Sequence, residues 1–311
     1  MYTDSTDYAQ TVLGRSADLW SVPASEVSDD LRSLIECAYG AKEIRETTVH
    51  SGSQWHHLFL VEAAERSHFD LLIELSRAGV RLPDRVLCLA GAGQRFHGFK
   101  GRAWSAPPGN TYLAVHLRPT DAVERPATSF TVLAAVSVVD AIDAIPGLEK
   151  SAGIKWVNDI LIDGAKVGGV LAYTQSAGGT IGGAVLGIGV NVETEPEIEP
   201  TPFVPRACTL KSKAPTPENC TQRSFFDALA TALNRNYREL IAGEYEELLE
   251  RYRERSLVIG RQVTLCAEEP GRELNMMAQG RATGIGDNLE LTIEGYERPF
   301  TKGRLIISQV A

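Results

Sequence analysis

The sequence predicts an α+β fold in which strands and helices share one large domain and a small β-barrel closes the chain. Three observations carry this. Asp163-Gly164 stands between two apolar runs, the signal of a tight hairpin, because the turn needs positive φ and glycine takes it without strain. Val132, Val136, Val139 and Ile142 recur every three or four residues between Phe130 and Ile145, which predicts a core helix stopped by Pro146-Gly147. From Ser256 onward the texture changes to short alternating strands separated by glycine and Asp-Asn turns, the pattern of a small barrel.

Composition sets the outer limits. At 311 residues the chain can bury a sizeable core and hold a large domain plus a small one. Its 43% hydrophobic and 23% charged content is that of an ordinary globular protein, and no apolar run reads as long enough to span a bilayer. Met1 to Arg15 lack a basic start and an apolar core, which argues against secretion. Cys37, Cys88, Cys208, Cys220 and Cys266 lack metal-ligand spacing, and an odd count fits the reduced thiols of a cytoplasmic protein. A net charge of −9 argues against DNA or RNA as a partner.

Residues 1–43 read as an N-terminal extension of unknown role. Asp29 to Cys37 predicts a short amphipathic helix with Leu31, Leu34 and Ile35 inward, and no glycine-punctuated helix-turn-helix pattern is present. Ile44 opens the main domain, set at 44–255, as a strand followed by the polar turn Ser51, Gly52, Ser53, Gln54 and then a helix, where serine caps free amide groups. Leu58 to Leu75 is apolar at helical spacing in parts. Val86 to Ala90 is a buried strand by its uninterrupted apolar run.

That strand delivers the chain to Gly91–Asn110, a glycine-rich loop carrying Arg95, His97, Lys100 and Arg102. Such a loop can bring backbone N–H groups and positive charge onto a phosphate, although a mobile surface loop has the same composition. A strand over Thr111–Leu117 and the Phe130–Ile145 helix follow.

The stretch from Gly153 to Gly169 reads as an apolar strand ending in Lys155, Asn158 and Asp159, the Asp163-Gly164 turn, and a second strand opening with Lys166 and Gly168-Gly169. Alternation places Lys155, Val157 and Asp159 on one side, Trp156 and Asn158 on the other. Paired glycines weaken a strand unless a ligand or backbone must approach, so the hairpin reads either as an anion site or as a surface turn with solvated lysines. Gly182 to Val192 returns as a strand with Gly187 and Gly189 leaving one face bare. Glu193 to Pro205 is an acidic, proline-rich loop, and Phe225 to Leu248 is helical.

Lys155-Trp-Val-Asn-Asp159, Lys166-Val-Gly-Gly-Val-Leu171 and Gly187-Ile-Gly-Val-Asn-Val192, in this order, resemble the catalytic core of the biotin protein ligases within the biotin/lipoate ligase superfamily. In the glycine-rich loop Gly98, Gly101, Arg102 and Trp104 match. His97 and Phe99 stand where the family has arginines, and Phe96 where it has a glycine. Ala207-Cys-Thr-Leu210 resembles the segment flanking the adenine pocket.

The resemblance implies a class II synthetase-like domain, a mixed or antiparallel sheet flanked by helices, followed by an SH3-like barrel at 256–311 and without the DNA-binding module some relatives carry. It implies ATP, Mg²⁺ and biotin, formation of biotinyl-AMP, and transfer of biotin to a lysine of the biotin carboxyl carrier domain of a biotin-dependent carboxylase. A homodimer is compatible with it; DNA and membrane partners are not expected.

Carried over residue by residue, it gives Lys166, Lys155, Arg102 and Asp159 the chemistry, with Asp159 either orienting the incoming amine or pairing with a lysine. Biotin would meet Ser51, Gly52, Ser53 and Gln54, then Gln94, His97 and Trp104, and finally Lys166, Gly168 and Gly169. The nucleotide would meet Arg95, Lys100, Gly101 and Arg102 from the loop, Asn158 and Asp159 from the hairpin, and Gly187, Gly189, Asn191 and Ala207 from the strand and loop beyond. No dedicated metal ligands are implied. Two alternatives stay open: a lipoate or octanoate ligase of the same superfamily, and a catalytically silent binding homologue.

Overall fold

In the computed structural model the described residues are 1–14, 18–23, 26–40, 42–49, 54–177, 180–267 and 275–308. Apolar side chains alternate between two cores across the central strands. In β5 (Val86–Gly93), Val86, Cys88 and Ala90 face one core while Leu87 and Leu89 face the other. The uninterrupted apolar run is thus explained by a sheet covered on both faces.

That sheet has ten strands. Its short N-terminal part is β1 (Tyr2–Thr3), β2 (Trp20–Ser21) and β3 (Arg45–Glu46). Next come β4 (His57–Ala64), β5 and β6 (Thr111–Leu117), then β7 (Ala152–Lys155), β8 (Asp159–Ile162), β9 (Ala165–Ala177) and β10 (Thr180–Val190). The order is β2-β3-β1-β4-β5-β6-β10-β9-β8-β7. Strands β1, β4 and β5 run parallel and the other pairs antiparallel, so the sheet is mixed.

Helices α2 (Asp29–Tyr39) and α3 (His68–Arg77) cover one face. On the other lie α1 (Thr6–Leu13), α4 (Pro126–Asp143), α6 (Gln222–Ile241) and α7 (Tyr245–Glu254), with the one-turn α5 (Leu210–Lys213) after the acidic segment. Helix α4 is long and apolar enough to cross a bilayer, contrary to the reading of the sequence. Here 67% of it is buried inside the molecule, as the central helix of the core.

Residues of the N-terminal extension join the main sheet: β1 and β2 pair with β3, Tyr2 with Glu46 and Trp20 also with Glu46. Two expectations are corrected. The strand expected after Ile44 is β3, but the helix expected next comes later, as α3, because Leu58 to Ala64 forms a strand and Ser67 caps the helix.

The central stretch is two hairpins rather than one. The chain reverses at residues 156–158, where Trp156 is buried and donates Nε1 to Leu289 O at 2.7 Å, and again at Asp163-Gly164, whose φ angles are 50° and 72°. Lys155 and Asp159 therefore share a face as cross-strand partners, not by alternation along one strand.

The C-terminal strands β11 (Gln262–Cys266), β12 (Met276–Ile285), β13 (Leu291–Ile293) and β14 (Arg304–Ile307) form a four-stranded antiparallel sheet in the order β13-β12-β11-β14. Their inward residues, Val263, Leu265, Ala282 and Leu305 among them, belong to the same core as α4 and the main sheet.

Candidate active site

A cavity of about 620 Å³ opens over one end of the main sheet. Its floor is made by glycines. A Cβ on Gly189 would lie 2.8 Å from the Trp104 indole, and one on Gly187 would lie 2.9 Å from the Phe69 ring. The bare face is what lets those two rings lie on the strand. Gly169 also faces the Trp104 ring, whereas Gly168 does not line the cavity. A Cβ there would meet Gly189 O at 2.9 Å and Val190 at 3.1 Å, so its glycine serves the close approach of β9 to β10.

Charge converges on one side of this floor. Lys166 leaves β9 just after the turn, pairs with Asp159 at 2.6 Å, and holds its ammonium 5.2 Å from the Trp104 ring centre. Lys155 is 6% exposed and donates to Phe203 O. Burial pushes its pKa down to about 8; Asp159 opposes that shift, while Lys166, Arg304 and Arg102 add to it. Arg102 lines the same space, against the Phe99 ring.

Asn191 is buried, and its amide donates to Cys208 O at 3.2 Å. Its Oδ1 is buried with no hydrogen-bond partner, and so is Trp104 Nε1. Both belong to residues lining the cavity, and such orphans call for a ligand or water to complete them. Ala207 is drawn in by its bridge to Lys166, with Lys166 N on Arg206 O at 3.0 Å and Cys208 N on Lys166 O at 3.0 Å. Asn158 faces the cavity but is engaged with Val170, its Nδ2 donating to Val170 O at 2.7 Å.

The opposite end is apolar, formed by Phe69, Phe96, Tyr112, Leu113 and Ala114. The glycine-rich loop covers it as a small hairpin, with His97 bridged to Ala103, Gly98 N on Arg102 O at 2.7 Å and Trp104 N on Phe96 O at 2.9 Å. This hairpin sorts the loop residues. His97, Arg102 and Trp104 face the cavity; Gln94, Arg95, Lys100 and Gly101 do not line it. Arg95 donates Nε to Glu65 O at 3.1 Å, and Lys100 sits exposed against the Phe99 ring.

Gln54 is displaced furthest. Strands β4 and β5 pair from His57–Val86 to Ala64–Gly93, the loop springs from the Gly93 end, and Gln54 lies beyond the His57 end. Ser51, Gly52 and Ser53 lie outside the described residues. The start of α3 also contributes: Ser67 accepts from Phe69 N at 3.2 Å, and Ser67, His68 and Phe69 line the cavity. His68 is fully buried, which lowers its pKa to about 4 and keeps it neutral. The signal was available: Ser67 follows an apolar strand and precedes an apolar helix, the same cap signature read at Ser51.

Two further contributors leave no local signal. Pro196 to Val204, within the acidic loop, forms one wall, and Arg304 of β14 reaches the cavity with its guanidinium 3.7 Å from the Phe203 ring centre. Among the described residues no group of three or more His, Cys, Asp or Glu could hold a metal ion.

Residues 89–191 match the biotin/lipoate A/B protein ligase family. The chain is 28% identical over 216 residues to the bifunctional ligase/repressor BirA of Bacillus subtilis (strain 168), covering 69% of this chain and 63% of the relative. It is 29% identical over 235 residues to the biotin--[acetyl-CoA-carboxylase] ligase of Mycobacterium tuberculosis (strain ATCC 25618 / H37Rv), covering 74% of this chain and 81% of that one.

In fold it is similar to a biotin protein ligase from Aquifex aeolicus solved in complex with biotin and ATP. There the TM-score is 0.60 at 18% identity, over 82% of this chain and all of that one. The segment that matches the biotin/lipoate A/B protein ligase family contains the glycine-rich loop, both hairpins and the glycine floor.

Proposed function

We propose that the protein is an ATP-dependent biotin protein ligase that forms biotinyl-AMP and transfers biotin to a lysine of a biotin carboxyl carrier domain. One observation carries this reading: Lys155, Lys166 and Arg102 converge beside Trp104 on the glycine floor of one cavity whose other end is apolar. An apolar acid with a charged triphosphate asks for that division. Relatives named as biotin ligases and the family match support it.

In the first step a biotin carboxylate oxygen bonds to the α-phosphorus and the bond to pyrophosphate breaks. Lys166, placed between the two ends, neutralises the charge shared by carboxylate and phosphate, with Lys155 and Arg102 beside it. In the second step the carrier's amine attacks the acyl carbon, AMP leaves, and Asp159 takes or orients the amine proton. Mg²⁺ would arrive on the triphosphate and supply charge neutralisation there. Asn191 Oδ1, which lacks a partner, and Asp159 are the cavity oxygens suited to face it.

We read residues 44–255 as the catalytic unit, supported by 1–43, and the C-terminal sheet at 256–311 as the SH3-like domain of this family. All five cysteines are free thiols, which supports a reducing, cytoplasmic setting, and we expect a homodimer without DNA or membrane contacts.

The test is pyrophosphate exchange into ATP that depends on biotin. Lys166→Ala should lose on the order of 10²–10³ in that rate with an unchanged circular dichroism spectrum; an unchanged rate would remove Lys166 from the mechanism. A lipoate or octanoate ligase is the second reading, favoured by Phe96, His97 and Phe99 in the loop. Exchange supported by lipoate and not by biotin would establish it, and exchange with neither would leave a silent binding protein.

A further inference from the structure

The glycine-rich loop is tied to α3 by one side-chain bridge, and its chemistry fixes the charge of the residue that makes it. His97 Nε2 lies 2.9 and 2.8 Å from the two carboxylate oxygens of Asp70, and Nδ1 lies 3.0 Å from Gly98 O. A carboxylate and a backbone carbonyl both only accept. A neutral imidazole has one N–H and would set a lone pair against one of those oxygens, so this geometry is made by the imidazolium.

The surroundings agree. The Gly98 carbonyl raises the His97 pKa, burial opposes, and the Asp70 bond and charge raise it further. Other charged groups nearby are engaged elsewhere: Arg66 with Glu74 at 2.6 Å, Arg95 with Glu65 O, and Lys100 and Arg102 against Phe99. His68 on the same turn of α3 is neutral.

We propose that the Asp70–His97 ion pair holds the glycine-rich loop down over the apolar end of the cavity, and so sets the affinity for the acid that is activated. The inference rests on the ligase reading for its substrate, but not for the latch itself. The pair joins two lining segments, 67–69 and 96–99, which supply Phe69 and Phe96 to the apolar end. Asp70 acts through His97 and is a positioning residue. The closed loop is favoured while His97 holds both protons and loosens as pH rises through its raised pKa.

Two measurements separate the latch from the ligase reading. In the ligand-free protein, NMR titration of the His97 ring should give a pKa above that of a free histidine, and Asp70→Asn should lower it. In pyrophosphate exchange, the KM for biotin in the native protein should rise about tenfold across that titration, the loss expected for one charge-assisted bond. In His97→Arg the KM should stay level, because a guanidinium keeps its charge. A His97 titration unchanged by Asp70→Asn, or coincident KM profiles for the native protein and His97→Arg, would overturn the proposal. Absence of exchange with any acid would defeat the ligase reading while leaving the NMR result to stand.

Discussion

Lys155 and Lys166 stand within one cavity in different surroundings. Lys166 is partly exposed and held by the Asp159 carboxylate. Lys155 is buried against a backbone carbonyl, and its pKa of about 8 puts its charge within reach of ordinary assay pH. Calorimetric affinity for ATP should therefore fall as pH rises from about 7 to about 9.5 and the ammonium is lost, while Lys155→Arg should hold its affinity across the range.

The stability sign is opposite. Between about 8 and the ordinary 10.5 the unfolded chain binds the proton that the folded chain has lost. The burial cost is thus full below about 8 and relieved as pH climbs to 10.5. His97, whose pKa is raised, contributes in the reverse sense, its pairing present at low pH and lost on rising through its folded pKa.

At the scale of elements, four glycines on β9 and β10 look alike in the sequence and are not equivalent. Gly189 gives room to a side chain, Trp104, while Gly168 gives room to the backbone oxygen of Gly189. Gly189→Ala should push the indole and its loop off the floor, costing on the order of 1–3 kcal/mol of ligand affinity with little change in melting temperature. Gly168→Ala should do the converse, lowering the melting temperature by wedging β9 from β10. Equal effects of the two on calorimetric affinity would show that the floor is not what seats the indole. Register explains the difference, since Gly168 lies opposite Val190 and Gly169 opposite Gly189, so successive glycines point to opposite faces.

At the scale of the whole molecule, the C-terminal sheet is not a loosely tethered module. It shares a core with α4, and Trp156 Nε1 donates to Leu289 O at 2.7 Å, Tyr245 Oη to Asp287 O at 2.7 Å, and Arg253 pairs with Asp287 at 2.9 Å. Differential scanning calorimetry should accordingly show one transition, coincident with loss of near-ultraviolet circular dichroism. Two separated transitions would show that the four strands fold by themselves. Arg304 ties this docking to the site, because the sheet that completes the core also sets its guanidinium on the Phe203 ring.

By itself the sequence determined what is local: the Asp163-Gly164 turn, the buried β5, the core helix α4, the bare glycine face and the two lysines of the central stretch. Each rests on a period or a turn chemistry that neighbours along the chain impose. It also showed His97 in an unusual place without revealing its partner.

What the tertiary structure alone decided depends on distance along the chain. Asp70 is 27 residues from His97 and Phe203 is 48 from Lys155, and no spacing rule connects such pairs. The place of Ser67 beside the cavity turned on which strand pairs with β5. That choice comes from burying whole faces of a sheet, which no single segment specifies.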